Sequence, residues 1–126
     1  LPNAVYWGDT HLHTSYSFDA GAFGNTLDPN DAYRFARGEK ITASMGQEAQ
    51  LIKPLDFLVV ADHSDNMGLA PDLRAGKENI IADPMGKQFY EDLKACKNHE
   101  VAIEFIKQFS QGTLTDALIY DPQSQS

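Results

Sequence analysis

Residues 54–65 read PLDFLVVADHSD and contain the clearest strand signal in the chain. The centre of this stretch is an almost unbroken apolar run with two adjacent valines, which is typical of a strand covered on both faces in a parallel sheet. We therefore predict a strand over residues 54–62. The run leads directly into Asp62 and His63, and parallel β/α folds place their active sites at the carboxyl ends of such strands.

A second strand is predicted near residues 4–12, where AVYWGDTHLH (4–13) mixes aromatic and β-branched residues with an alternating pattern. Alternation places Asp9, His11 and His13 on one face. Residues two apart on a strand lie about 6.5 to 7 Å from each other on the same side, so the two imidazoles can converge on one ion. Asp19, in the turn that follows, is within reach as a further ligand.

The remaining segments predict a mixed α/β chain. Asp28 as N-cap, Pro29 in the first turn and Gly38 at the end indicate a helix over 29–37. The expected elements around it are a hairpin within 39–54, an irregular excursion with one helical turn over 66–86, two amphipathic helices separated near Asn98, and a frayed tail at 121–126. This order favours parallel strands joined by right-handed crossovers.

Three aromatic residues are most simply interpreted as core, because large aromatic side chains dominate burial in proteins. They are Trp7, Phe105 and Phe109. Serine-based catalysis is not expected, because none of the serines near the histidines has the G-x-S-x-G environment of a nucleophile elbow.

Composition excludes several kinds of partner. The net charge is -8 and the sequence has no cluster of Lys and Arg, which argues against binding a nucleic acid through a basic face. The sequence contains no run of about 18 apolar residues, so no membrane span is predicted. No signal segment opens the chain, although it begins with Leu1 rather than Met, so we expect a soluble protein whose compartment stays open. Cys96 is the single cysteine and predicts neither an intrachain disulfide nor a thiolate-rich zinc site.

Each histidine motif has an ordinary alternative interpretation. An H-x-H pair in a strand is more often solvent-facing polarity than a ligand pair, and a D-H dipeptide is more often a simple strand-end turn. Two such motifs, both at strand ends and both accompanied by carboxylates, favour a metal site over coincidence.

These residues also carry a resemblance to a known superfamily. GDTHLHTSYSFDA (8–20) and VVADHSD (59–65) resemble the first and second motifs of the polymerase and histidinol phosphatase (PHP) superfamily. More narrowly, AYRFARGE (32–39) and KPLDFLVVADHSD (53–65) resemble the PHP-like family called domain of unknown function 3604. The resemblance covers residues 4–65 well and the remainder weakly.

The resemblance implies a distorted (β/α)7 barrel with two or three metal ions at the carboxyl ends of its strands. It implies His11 and His13 as ligands of one ion, Asp19 as the third ligand of the first motif, and His63 as a ligand of a second ion. Asp9 and Asp62 match positions that bind weakly or support ligands. The bridging glutamate, the later histidine and the closing Asp-x-His pair of the superfamily find no match, so residues 1–126 are expected to be the N-terminal fragment of a single PHP-like metallohydrolase domain.

The expected function is a metal-dependent hydrolase, specifically a phosphoesterase, acting on a small phosphorylated substrate with Zn, Mn or Fe as cofactor. Asp62 and His63 are the expected catalytic residues, and the fragment by itself is expected to be inactive. The alternative is a metal-binding or structural module, an inactive PHP-like fragment that a partner or self-association completes. Self-association through exposed strand edges is expected, because each edge offers unpaired backbone groups.

Overall fold

The computed structural model describes residues 3–120, which form a mixed α/β structure with a small parallel sheet. The predicted frayed tail at 121–126 lies outside the described residues. The elements in chain order are β1 (Gly8–Leu12), α1 (Phe18–Ala22), α2 (Pro29–Ala36), β2 (Ile41–Thr42), β3 (Glu48–Ala49), β4 (Phe57–Val60), α3 (Leu69–Ala75), α4 (Glu78–Ile81), α5 (Pro84–Lys94), α6 (Asn98–Gln111) and a 3-10 helix (Asp116–Leu118).

The strands β1 and β4 pair in parallel, as predicted, although both are shorter than the sequence pattern suggested. Gly8 lies opposite Phe57, and the register shifts before Leu12 comes to lie opposite Val60. Beyond the strand end, the amide of Ala61 donates to the carbonyl of Leu12 at 2.7 Å. The two segments that follow β1 and β4 therefore leave the sheet side by side. The α/β class with parallel strands is confirmed, while the barrel stays a prediction.

The expectation that β4 is covered on both faces is wrong for the described residues. Phe57 and Val59 are 43% and 47% exposed, whereas Leu58 and Val60, which alternate with them, are half-buried. The reason is that α2 packs against only one face of β4, the face that presents Leu58. An apolar run thus marks a strand here without fixing how many of its faces are covered.

Helix α2 begins as its sequence predicts. Asp28 accepts a hydrogen bond from the amide of Asp31, and the Asp31 carboxylate accepts one from the amide of Asp28, which together form a capping box. Pro29 occupies the first helical position, where its missing N–H is not needed. The antiparallel pair β2–β3 that follows confirms the predicted hairpin.

Residues 66–86 are largely helical, so the predicted irregular excursion is wrong. Gly68 and Gly76 flank α3 with φ of +84° and +65°, and Pro84 starts α5 behind the N-cap Asp83. These glycines and prolines mark helix ends rather than an absence of helix. The two predicted amphipathic helices are present as α5 and α6 and separate just before Asn98.

The hydrophobic core lies between the helices rather than under the sheet. Its buried side chains are Leu69, Leu73, Ile80, Phe89, Val101, Phe105 and Leu118. Phe105 is therefore core as expected, but Trp7 is 69% exposed and Phe109 is 54% exposed, so the core interpretation is wrong for both. Among residues 3–120, no helix has both the length and the apolar character that crossing a membrane requires.

Candidate metal site

Three predicted ligands meet where the chain leaves β1 and β4. Asp19 Oδ2 lies 2.8 Å from Nδ1 of His13 and 3.5 Å from Nε2 of His63. One ligand atom from each residue falls within 4.8 Å of the other two. The rings of His13 and His63 meet edge to face, with centroids 4.6 Å apart. We call these three residues the ligand cluster, and it joins segments that the sequence assigned to two separate motifs.

The carboxyl group of Asp19 is ionised in this environment. Burial raises its pKa, but hydrogen bonds from the Ser17 hydroxyl, from His13 and from the Ala20 amide, together with the charge of His13, outweigh that effect and hold the pKa at about 2. A carboxylate can only accept hydrogen bonds, so Nδ1 of His13 carries the hydrogen in this arrangement. The cluster therefore presents one fixed negative charge between two imidazoles.

Ser17 forms hydrogen bonds with both His63 and Asp19. Its side chain is fully buried, and its hydroxyl oxygen accepts a hydrogen bond from the amide of His63 at 3.0 Å while its hydroxyl hydrogen is directed to Asp19. Ser17 is also the N-cap residue of α1, the helix that carries Asp19. One hydroxyl thus fixes His63, which lies three residues after the end of β4, relative to Asp19.

Asp62 supports the site instead of joining the ligand cluster. Its Oδ1 accepts from the Thr14 amide at 2.5 Å and its Oδ2 accepts from the Thr14 hydroxyl at 2.6 Å. Thr14 is 2% exposed, so this double contact is partly buried. Because Thr14 follows His13 and Asp62 precedes His63, the contact sets the spacing of the two imidazoles.

His11 and Asp9 lie beside the ligand cluster. The rings of His11 and His13 stack with centroids 4.9 Å apart, which agrees with their predicted placement on one side. The Asp9 carboxylate accepts a hydrogen bond from the amide of His11 at 2.7 Å. Metal ligation by His11 and by Asp9 stays a prediction, since neither belongs to the group of ligand atoms that converge.

Sequence reasoning missed the positioning roles of Ser17 and Thr14 and a pocket beside the cluster. The polar run that follows His13 carries the signal for the first two, because buried hydroxyls next to a predicted ligand pair imply partners. The pocket has a volume of about 210 Å³ and had no local sequence signal, because its walls come from distant segments. It is lined by Phe18, Asp19, His63, Asp65, Asn66, Phe105, Ile106 and Phe109.

The match of this chain to known proteins is at the level of a family and covers residues 1–126. No curated protein and no solved structure matches it. A protein family described as "Protein of unknown function (DUF3604)" matches residues 1–126. The chain therefore belongs to that family.

Proposed function

We propose that this protein is a metal-dependent hydrolase that acts on phosphoesters. The observation that carries the proposal is the convergence of His13, Asp19 and His63 at the carboxyl ends of two parallel strands. Ligands and catalytic groups collect at this end of parallel sheets, because the loops there can be varied without disturbing the strands.

The donor set fits a divalent ion. Two imidazoles and one carboxylate suit Zn, Mn or Fe. Atoms that bind one tetrahedral ion at about 2.0–2.2 Å lie roughly 3.3–3.5 Å from each other. The His63–Asp19 separation of 3.5 Å already has that value, and the His13–Asp19 hydrogen bond of 2.8 Å opens when His13 loses the hydrogen on Nδ1. Three protein ligands also leave positions for water and substrate, as in catalytic zinc sites.

A bound divalent ion would supply Lewis acidity, lowering the pKa of a water molecule and neutralising charge on phosphoryl oxygens. Asp19 supplies the anionic ligand, and Ser17 orients it relative to His63. In this proposal Asp62 acts as a positioning residue that keeps Thr14, and with it His13, in place. His11 stands next to His13 as the chain's own candidate for ligating a second ion.

A phosphoester is proposed as substrate because a divalent ion at the ligand cluster would stabilise negative charge on phosphoryl oxygens. The net charge is -8, and the pocket beside the cluster has no Lys or Arg in its lining. The dianionic phosphoryl group therefore depends on metal charge for binding and for stabilisation as the reaction proceeds.

A metal-binding module without turnover is the second candidate. It is favoured by the observation that, within residues 3–120, only three potential ligands converge, while Asp9 is engaged with the backbone of His11. One ion held in this way would tie the strand ends together without the paired ions expected of the hydrolase.

Metal content and turnover separate the two candidates. For the full-length protein, we expect at least one zinc or manganese ion per chain by elemental analysis, and metal-dependent hydrolysis of 4-nitrophenyl phosphate. His63→Ala should remove both properties. His99→Ala is the matched control, because His99 is on α6 and packs near Phe23 rather than in the cluster.

Metal binding that is lost in His63→Ala, without hydrolysis of any aryl or alkyl phosphate, would favour the module. Equal metal content in the two histidine variants would rule out the ligand cluster as the metal site.

A further inference from the structure

The pocket beside the ligand cluster has both polar and apolar lining. Asp19 and His63 line it together with the aromatic side chains of Phe18, Phe105 and Phe109. The ring of Phe18 lies 3.9 Å from that of Phe105, centroid to centroid, and Phe105 and Phe109 are nearly parallel at 6.4 Å. A molecule held at the cluster therefore has an apolar wall within the same cavity.

Two apolar residues of the pocket lining are exposed. Phe109 is 54% exposed, and Ile106, three positions earlier on α6, is 51% exposed. Phe105 below them is 2% exposed and already belongs to the core, so packing of the helix does not require Phe109. Exposed apolar side chains that share a concave pocket with polar groups are typical of ligand sites.

The volume of the pocket is sufficient for an aromatic ring. A protein cavity of about 150 Å³ lined by apolar side chains binds benzene, and this pocket measures about 210 Å³. It therefore has room for a six-membered ring. The carboxylate of Asp65 lies in the same lining and disfavours a ring that carries an anionic substituent.

We propose that the pocket lined by Phe18, Ile106 and Phe109 binds the organic group of the substrate, and that this group contains an uncharged ring. This inference rests on the proposed function and adds the substrate class. Hydrolysis of such an ester forms a bond from the water oxygen to phosphorus and breaks the ester bond between phosphorus and oxygen. One water proton ends on the released alcohol, and the other stays on the phosphate.

The subsite is tested first by binding, independently of turnover. Calorimetric titration of the zinc-loaded protein is expected to show benzylphosphonate binding about tenfold or more tightly than methylphosphonate, as an apolar contact of this size provides. Phe109→Ala and Ile106→Ala should each remove most of that preference and leave methylphosphonate binding unchanged. Ile103→Ala is the matched control, since Ile103 is 50% exposed on the same helix but does not line the pocket.

Turnover then separates the subsite from the hydrolase proposal. Benzyl and methyl phosphate release alcohols of similar acidity, so a difference in kcat/KM between them reports contacts rather than leaving-group chemistry. Preference for benzylphosphonate that Phe109→Ala abolishes, without turnover of either ester, would retain the subsite and reject the hydrolase. Hydrolysis of both esters at equal kcat/KM, or equal binding of both phosphonates, would reject the subsite.

Discussion

Asp19 carries more of the candidate site than any other single residue. One of its oxygens contacts both imidazoles, and the contacts that hold its pKa at about 2 come from the same segment, residues 13–20. The charge is therefore set by local sequence, while the approach of His63 depends on the sheet. A change at this residue removes an anionic ligand without requiring the strands to move.

Asp19→Asn is expected to weaken zinc binding by about 100-fold or more, because it replaces a charged ligand by a neutral amide and loosens both imidazoles. Competition with a fluorescent zinc chelator measures the affinity. Asp65→Asn removes the same charge from the neighbourhood and serves as the matched control. Equal losses in the two variants would mean that general electrostatics, rather than ligation by Asp19, governs affinity.

At residue scale, the sequence indicated which candidate ligands converge but not the residues that position them. His13 and His63 were predictable because alternation and strand ends place side chains in known directions. Asp19 was predicted from its nearness to His13, in a turn, whereas it lies in α1. The pairing of Asp62 with Thr14 was not predictable, because a carboxylate at a strand end matches a ligand and a support equally well. Only the register of β1 and β4 shows that both oxygens of Asp62 are already engaged.

At the scale of elements, the glycines and prolines of residues 66–86 were the main source of error in the predicted secondary structure. Gly68 and Gly76 have positive φ and flank α3, and Pro71 lies in its first turn, where proline is tolerated. A sequence window that contains all three suggests irregular structure, although each residue sits where short helices use it. Conversely, the capping signals of α2 at Asp28 and Pro29 were sufficient to place that helix.

Gly8 controls the approach of β1 to β4. A Cβ atom at this position would lie 2.2 Å from the carbonyl oxygen of Phe57 and 2.5 Å from its ring, so the strands would have to separate. Gly8→Ala is expected to cost about 1–3 kcal/mol, the usual range for overpacking, and to reduce zinc affinity because the strand ends shift. Urea unfolding and zinc titration measure the two effects.

Thr10→Ala is the comparison for Gly8→Ala, because Thr10 is exposed on the same strand. A Gly8→Ala protein with unchanged urea midpoint and zinc affinity would show that the strands tolerate wider spacing.

At the scale of the whole molecule, one face of the sheet bears apolar side chains in contact with solvent. Phe57 and Val59 are nearly half exposed, and Trp7 lies beside the start of β4, where its amide donates to Asp56. Exposed apolar faces and free strand edges favour association. The predicted self-association stays a prediction that this surface makes testable.

Val59→Lys is expected to shift the molecule toward a smaller species in sedimentation velocity at high protein concentration, since a charge on the face opposes contact between copies. Val5→Lys, at another exposed apolar position ahead of β1, shows whether any added charge suffices. If sedimentation of the unaltered chain is independent of concentration, self-association through the sheet is wrong.

Tyr120 connects the end of the described chain to the helices. Its hydroxyl donates to Asp72 at 2.9 Å, and its amide donates to the side chain of Asn66. Burial, the hydrogen bond to Asp72 and the charge of Asp72 raise the pKa of Tyr120 to about 12 from an ordinary 10.0. A raised pKa means that the folded state favours the protonated phenol, so this contribution is fully present below pH 10 and is lost as pH rises through 12.

Tyr120→Phe is therefore expected to unfold at lower urea concentration than the unaltered protein at pH 8, and the difference should shrink between pH 10 and pH 12. Comparing the two proteins at each pH cancels the titration of groups that they share. A difference that is constant up to pH 12 would contradict a stabilising bond from the phenol to Asp72.

The wide spacing in sequence of the strand-end contacts has a consequence for the order of folding. Thr14 and Asp62 are 48 positions apart, and Ser17 and His63 are 46 apart. Closing a loop of this length costs roughly 3 kcal/mol of chain entropy before any contact is gained. Helices α3 to α6 are consecutive in the chain, so they have no such delay and should form first. The strand ends are therefore expected to form late in folding and to open early in unfolding. In amide hydrogen exchange, the amide of Ala61 should exchange with solvent faster than that of Phe105.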